Sequence, residues 1–175
     1  MTTWKIDAAH SEIQFKVKHL MISTITGNFT SFDSSVQTNG DDFTSAVVSF
    51  EANVDSITTK NADRDKHLQA EDFFHAASYP KVTFVSKEVK KVDDANYTVS
   101  GDLTVRGVTK PVVLNAEYGG IITDPWGQVK AGFELTGKIN RKDYGLSFHA
   151  VTEAGGIVVG DEVKLHLAVE YIKQA

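Results

Sequence analysis

The chain of 175 residues has no cysteine. Disulfides, thiolate metal sites and cysteine nucleophiles are therefore excluded. It also lacks any apolar run approaching the roughly 18 residues of a membrane-spanning helix. Basic charge is not in excess: 18 Lys and Arg stand against 23 Asp and Glu, a net charge of −5. Such a surface does not invite nucleic acid, and no lysine-rich run forms an electrostatic membrane patch. Met1-Thr2-Thr3-Trp4-Lys5 leads directly into patterned sequence without a basic and then apolar leader. The expected location is cytoplasmic, or periplasmic or secreted if a leader has been removed.

What is present is two-residue alternation, repeated from end to end. Ile13, Phe15 and Val17 share one face while Glu12, Gln14, Lys16 and Lys18 share the other. Val163, Leu165, Leu167, Val169 and Tyr171 do the same near the C-terminus. Side chains of a strand point alternately to opposite faces, so each such segment has one apolar and one wet side. The pattern predicts strands over 12–19, 25–37 (bent at Thr30-Ser31, with Gly27 easing a close approach), 44–55, 81–91, 96–105, 111–123, 129–141 and 162–173. Between them lie turn signals at Asn39-Gly40-Asp41-Asp42, Asp93-Asp94-Ala95-Asn96, Asp124-Pro125-Trp126-Gly127, Gly155-Gly156 and Gly160-Asp161. A tight link is expected at 106–111. The alternation breaks only over 61–75, which predicts one or two short helices with Asn61 as N-cap, ended before Pro80. About eight strands can close into a barrel whose interior holds side chains or one small ligand. The prediction is a single all-β domain over 1–175, an antiparallel β-barrel.

Several segments resemble the YceI-like family. They are Trp4-x-Ile6-Asp7-x-x-His10-Ser11, Phe15-x-Val17-Lys18-His19-Leu20, Gly27-x-Phe29 and Asn61-x-x-Arg64-Asp65-x-His67-Leu68. Asp72-Phe73-Phe74, Tyr79-Pro80-x-x-x-Phe84, the run from Gly101 to Pro111, Phe133 and Ile139-x-Arg141-x-Asp143-Tyr144-Gly145-Leu146 complete the set. The resemblance implies a lipocalin-like barrel, a long-chain ligand such as a polyisoprenoid in the lumen of some members, and no agreed catalytic constellation.

The candidate luminal side chains are Ile13, Phe15, Val17, Phe50, Val54, Phe84, Leu103, Leu114, Phe133, Leu135, Leu165 and Leu167. Pattern alone reads them as packed core. The resemblance turns the reading toward an axial tunnel. His19 continues the inward face of 13–17 and is expected in or near the lumen. Leu68, Phe73, Phe74 and Met21 are candidates for a lid over one mouth, or for a small satellite core under the helix.

A lipid head group would be met by Arg64, Arg106 or Arg141, since a guanidinium grips phosphate or carboxylate with a planar fork. The plainer alternative pairs Arg64 and Arg141 with Asp65 and Asp143. The histidines (His10, His19, His67, His75, His149 and His166) show no zinc spacing. His10-Ser11 reads as strand neighbours facing opposite ways, not a catalytic pair. Asp7, Asp41-Asp42, Asp93-Asp94 and Asp161-Glu162 are expected in or beside turns, with no calcium loop. No catalytic residue, metal or cofactor is assigned. The function expected is sequestration or transport of a long-chain apolar small molecule. An isomerase or hydrolase acting through His19, Asp65 or Arg141, and a solid barrel acting through its surface in stress-related binding, are the rivals. A homodimer is compatible with the sequence but nothing in it demands one.

Overall fold

The alternating segments form strands because each has one face to bury and only a sheet can bury them together. In the computed structural model, which describes residues 1–148 and 159–175, they are β1 (Thr2–Ile6), β2 (Glu12–His19), β3 (Ser23–Phe29), β4 (Phe32–Asn39), β5 (Asp42–Asn53) and β6 (Ile57–Thr58). A helix, α1 (Ala62–Leu68), precedes β7 (Lys81–Lys91), β8 (Asn96–Val105), β9 (Val108–Thr123), β10 (Val129–Asn140) and β11 (Val159–Lys173).

Every pairing is antiparallel, and the order β1-β4-β5-β7-β8-β9-β10-β11 closes on itself through β1 and β11. The result is an eight-stranded barrel, with β2, β3 and β6 extending three of its staves. β11 makes this possible: its end at Tyr171–Lys173 pairs with β1, while Val159–Ala168 pairs with β2. Thus β1 and β2 are one stave broken by a single turn at Ala8–His10. The bend expected at Thr30-Ser31 divides β3 from β4 in the same way, and a turn at Val54–Ser56 divides β5 from β6.

Several boundaries differ from the sequence reading. β1 was not predicted, because Thr2–Ile6 is too short to display a period, yet its Trp4 is completely buried and donates its indole N–H to Thr38 Oγ1 at 3.0 Å. β9 starts at Val108, so the link shrinks to Arg106-Gly107, both at positive φ. β11 starts at Val159, which puts Asp161 and Glu162 inside a strand. Gly155-Gly156 and His149 lie outside the described residues. The helix covers only 62–68, capped by the Asn61 side chain, which accepts from the Arg64 N–H at 3.0 Å. Beyond it Phe73 and Phe74 are both buried. The chain has left the helix there and carries both rings in a run of turns against the upper end of the barrel.

The two ends of the barrel are unlike. At the end where β5 begins and β11 finishes, Phe43 lies 5.2 Å from Trp4, 5.1 Å from Phe133 and 5.6 Å from Tyr118, and Tyr97 meets Tyr118 edge-on at 5.9 Å. These rings close that end with apolar bulk in tilted, edge-on and stacked contacts. At the other end β9 and β10 part beyond the Asn115–Thr136 pair, and α1 with its following loop and the 141–148 segment lies across the opening.

Candidate functional site

The barrel is hollow. An upper chamber of about 320 Å³ lies under α1, and a lower chamber of about 120 Å³ continues toward the aromatic end. Ile13, Phe50 and Leu167 line both, so these three side chains form a waist between them.

The upper chamber takes its wall from the inward faces of β2, β8 and β11: Ile13, Phe15, Val17, Leu103, Val105, Val163, Leu165 and Leu167. One local device widens it. Phe15 sits opposite Gly27 on β3, and a methyl group on Gly27 would overlap the Phe15 ring. The glycine lets the ring lie flat against the backbone instead of across the bore, as the sequence reading expected of that position. The lower chamber is lined by Phe84, Leu114, Phe133, Leu135, Val169 and Tyr171 among others. Of its two tyrosines, Tyr97 and Tyr171, the latter places its hydroxyl 2.8 Å from Ser34 Oγ, which itself donates to the Ser49 carbonyl at 2.7 Å. Burial pushes the Tyr171 phenol up to about 12.

Leu68, Phe73 and Phe74 roof the upper chamber. Phe74 meets Phe29 edge-on at 6.3 Å, and Phe73 stacks on Phe148 at 5.0 Å with the His67 ring edge-on to both. His67 Nε2 lies 3.0 Å from Asp72 Oδ2, and the Phe148 N–H donates to the Asp72 carbonyl at 3.1 Å. The roof is therefore two segments, 62–74 and 141–148, latched together. Met21 is not part of it: the residue is 56% exposed in the β2–β3 turn and lies outside the cavity wall. Val54 is buried in the core at the turn after β5 and lines neither chamber.

The three arginines separate by what already occupies them. Arg141 is 3% exposed. It donates from Nε to the Gly160 carbonyl at 2.9 Å, from one terminal nitrogen to the Leu146 carbonyl at 2.5 Å, and from the other to the Val159 carbonyl at 3.3 Å. Its carboxylate partner is Asp161, at 3.4 Å, rather than Asp143. Burial lowers its pKa and Asp161 opposes that shift. Arg106, outside the cavity wall, is a strap across the roof, donating to the Gly145 carbonyl at 2.9 Å and the Glu71 carbonyl at 2.6 Å. Arg64 lies on the cavity wall, and with Asp65 it grips Thr59 instead of forming an ion pair. Arg64 donates to Thr59 Oγ1 and to the Thr59 carbonyl, both at 2.8 Å, while Asp65 Oδ1 accepts from the Thr59 N–H at 2.8 Å. His19, at the end of β2, also lines the upper chamber.

Among the described residues no group of three or more His, Cys, Asp or Glu is placed to hold a metal ion. His10 and Ser11 lie at the turn between β1 and β2, not on a strand. The His10 ring sits 2.8 Å from the Asp7 carboxylate, and the Ser11 hydroxyl donates to the Asp7 carbonyl at 2.8 Å while accepting from the Glu170 N–H. No described helix is long and apolar enough to cross a membrane.

The chain matches the YceI-like domain over residues 4–171. A UPF0312 protein of Staphylococcus epidermidis is 41% identical over 174 residues, 98% of each chain. The crystal structure of the Campylobacter jejuni YCEI protein, 35% identical, superposes with a TM-score of 0.77 over 97% of this chain and 96% of that one. A polyisoprenoid binding domain from Saccharophagus degradans, implicated in plant cell wall breakdown, shares the fold at a TM-score of 0.71 and 17% identity, with 98% of both chains covered. With all but the outermost residues of its barrel inside the matched span, this chain belongs to the YceI-like family.

Proposed function

We propose that the protein sequesters or carries a long-chain lipid, with the apolar tail in the upper chamber, its tip at the waist above the lower one, and the polar end at the roofed mouth near Arg64, His19 and His67. The single observation that carries this reading is the pair of apolar chambers in series along one barrel, with a latched roof at one end and packed rings at the other. The ligand classes proposed are a polyisoprenoid or quinone, and a fatty acid or fatty amide. The Saccharophagus domain of the same fold is described as polyisoprenoid-binding, which supports the first class.

Volume orders these classes. If a methylene occupies about the ~30 Å³ of a liquid water, the upper chamber holds roughly ten and the two together roughly fifteen. The upper chamber then encloses about ten carbons of a fatty-acyl chain or about two isoprenoid units, and a longer tail leaves its remainder at the mouth. Ten buried methylenes at ~0.8 kcal/mol each contribute about 8 kcal/mol, enough for micromolar affinity before association costs. Binding selects by length and thinness, and no covalent step is required.

Native purification followed by organic extraction and mass spectrometry tests the reading: a long-chain lipid should be released. A delipidated sample should then take up saturated fatty acids with affinity rising to about ten carbons and levelling as the chain meets the waist. Absence of both extracted lipid and uptake would remove the proposal.

A further inference from the structure

The turn joining β2 to β3 works against its own backbone. The Ile22 N–H donates to the His19 carbonyl at 3.2 Å. The two residues inside this turn, Leu20 and Met21, both stand in the left-handed region, with φ of 54° and 58°. Two consecutive positive φ values are the type I′ pattern, which Asn-Gly or Asp-Gly satisfies and large apolar residues resist. The side chains are also on the wrong side of the protein for their chemistry: Leu20 is 38%, Met21 56% and Ile22 84% exposed. Nowhere else among the described residues do three large apolar side chains in a row stand exposed. Neither turn geometry nor burial calls for Leu-Met-Ile here.

Position supplies a reason. Val17, His19 and Ile25 of the same hairpin line the upper chamber, so the turn stands at the end of a strand pair that forms the chamber's wall. A ligand that fits this chamber is sparingly soluble in water and accumulates in bilayers. With a net charge of −5, the protein has no long-range attraction to an anionic surface, so contact would rest on apolar insertion. We propose that Leu20-Met21-Ile22 is a membrane-docking tip that inserts into a bilayer and holds the mouth of the chamber against the lipid phase. The left-handed backbone at two positions presents the side chains outward before contact is made. This inference rests on reading the chamber as a lipid site.

The test uses the full chain and vesicles of phosphatidylcholine. The wild type should cosediment with them, insensitive to added salt. The variant L20N/M21G installs the dipeptide that a type I′ turn favours. It should raise the melting midpoint by roughly 2–4 °C while lowering vesicle binding at least about tenfold, because side chains of this size each contribute more than a factor of ten when buried. A second variant, I22S, should lose vesicle binding to a similar degree yet take up a fluorescent fatty acid from vesicle-free solution within about twofold of the wild type. The proposal is overturned if the wild type stays in the supernatant, if both variants bind vesicles as the wild type does, or if the tip instead mediates a dimer that I22S dissolves. Failure of the wild type to take up the fatty acid from solution would sink the chamber reading itself, which the vesicle assay does not measure.

Discussion

Two buried polar side chains show how single residues are held in an otherwise oily interior. Tyr171 projects its hydroxyl among apolar neighbours and satisfies it on Ser34 alone. Its phenol is pushed up to about 12 by burial, while the unfolded chain ionises near the ordinary value of 10. Below pH 10 both states keep the proton and stability is unaffected by this group. Between 10 and 12 only the unfolded state releases it, so stability falls as pH rises, by about 1.4 kcal/mol per unit and up to about 2–3 kcal/mol in all. Tyr171→Phe should cost about 1 kcal/mol at neutral pH through the lost hydrogen bond and flatten the decline above pH 10, as read from urea unfolding across pH. A decline of the same steepness in the variant would assign it to other groups, Tyr144 first, whose phenol burial also pushes up to about 12.

At the scale of elements, the roof is defined by what ties it down. Arg141 joins the segment after β10 to the start of β11 through two backbone carbonyls and Asp161, and ties its own segment together through the Leu146 carbonyl. Arg106 joins the β8–β9 turn to both roof segments. Arg141 is therefore occupied by the protein itself, Arg106 lies off the cavity wall, and Arg64 is the guanidinium on that wall with the fewer such ties. Arg141→Ala leaves buried carbonyls without donors and should destabilise by about 3–5 kcal/mol, measured as a shift in the denaturation midpoint at unchanged slope. Arg141→Lys should recover little, because one ammonium cannot span carbonyls set out for a planar fork. Arg64→Gln, by contrast, should leave stability within about 1 kcal/mol and weaken fatty acids more than fatty amides, since only the former carry the charge it would meet.

For the molecule as a whole, the waist decides capacity. Ile13, Phe50 and Leu167 separate a chamber that holds roughly ten methylenes from one that adds roughly five more. Phe50 is half-buried and stacks on Phe32 at 6.5 Å, so it leans on the wall as well as on the bore. Phe50→Ala should cost about 2 kcal/mol in stability and move the length at which fatty-acid affinity levels from about ten to about fifteen carbons. Titrating a chain-length series against both proteins checks this. An unchanged plateau would show that the waist does not limit the tail.

The fold class was legible in the sequence because alternation is a local property: Ile13, Phe15 and Val17 must share a face in any strand they form. The same logic located most of the inward-facing side chains, the bend at Thr30-Ser31, the Asn61 cap and the close approach at Gly27. It missed β1, too short to show a period, and overextended the helix, because the burial of Phe73 and Phe74 is a tertiary demand. It could not separate the arginines, since Arg106 and Arg141 are held mainly by backbone carbonyls, which carry no side-chain signature. Pattern likewise left open whether apolar faces fill a barrel or line a bore. Only closure through β1 and β11, with Phe15 laid flat on Gly27 and the roof latched by Arg106, decided that space remains, because volume inside a cylinder depends on how every stave meets the others.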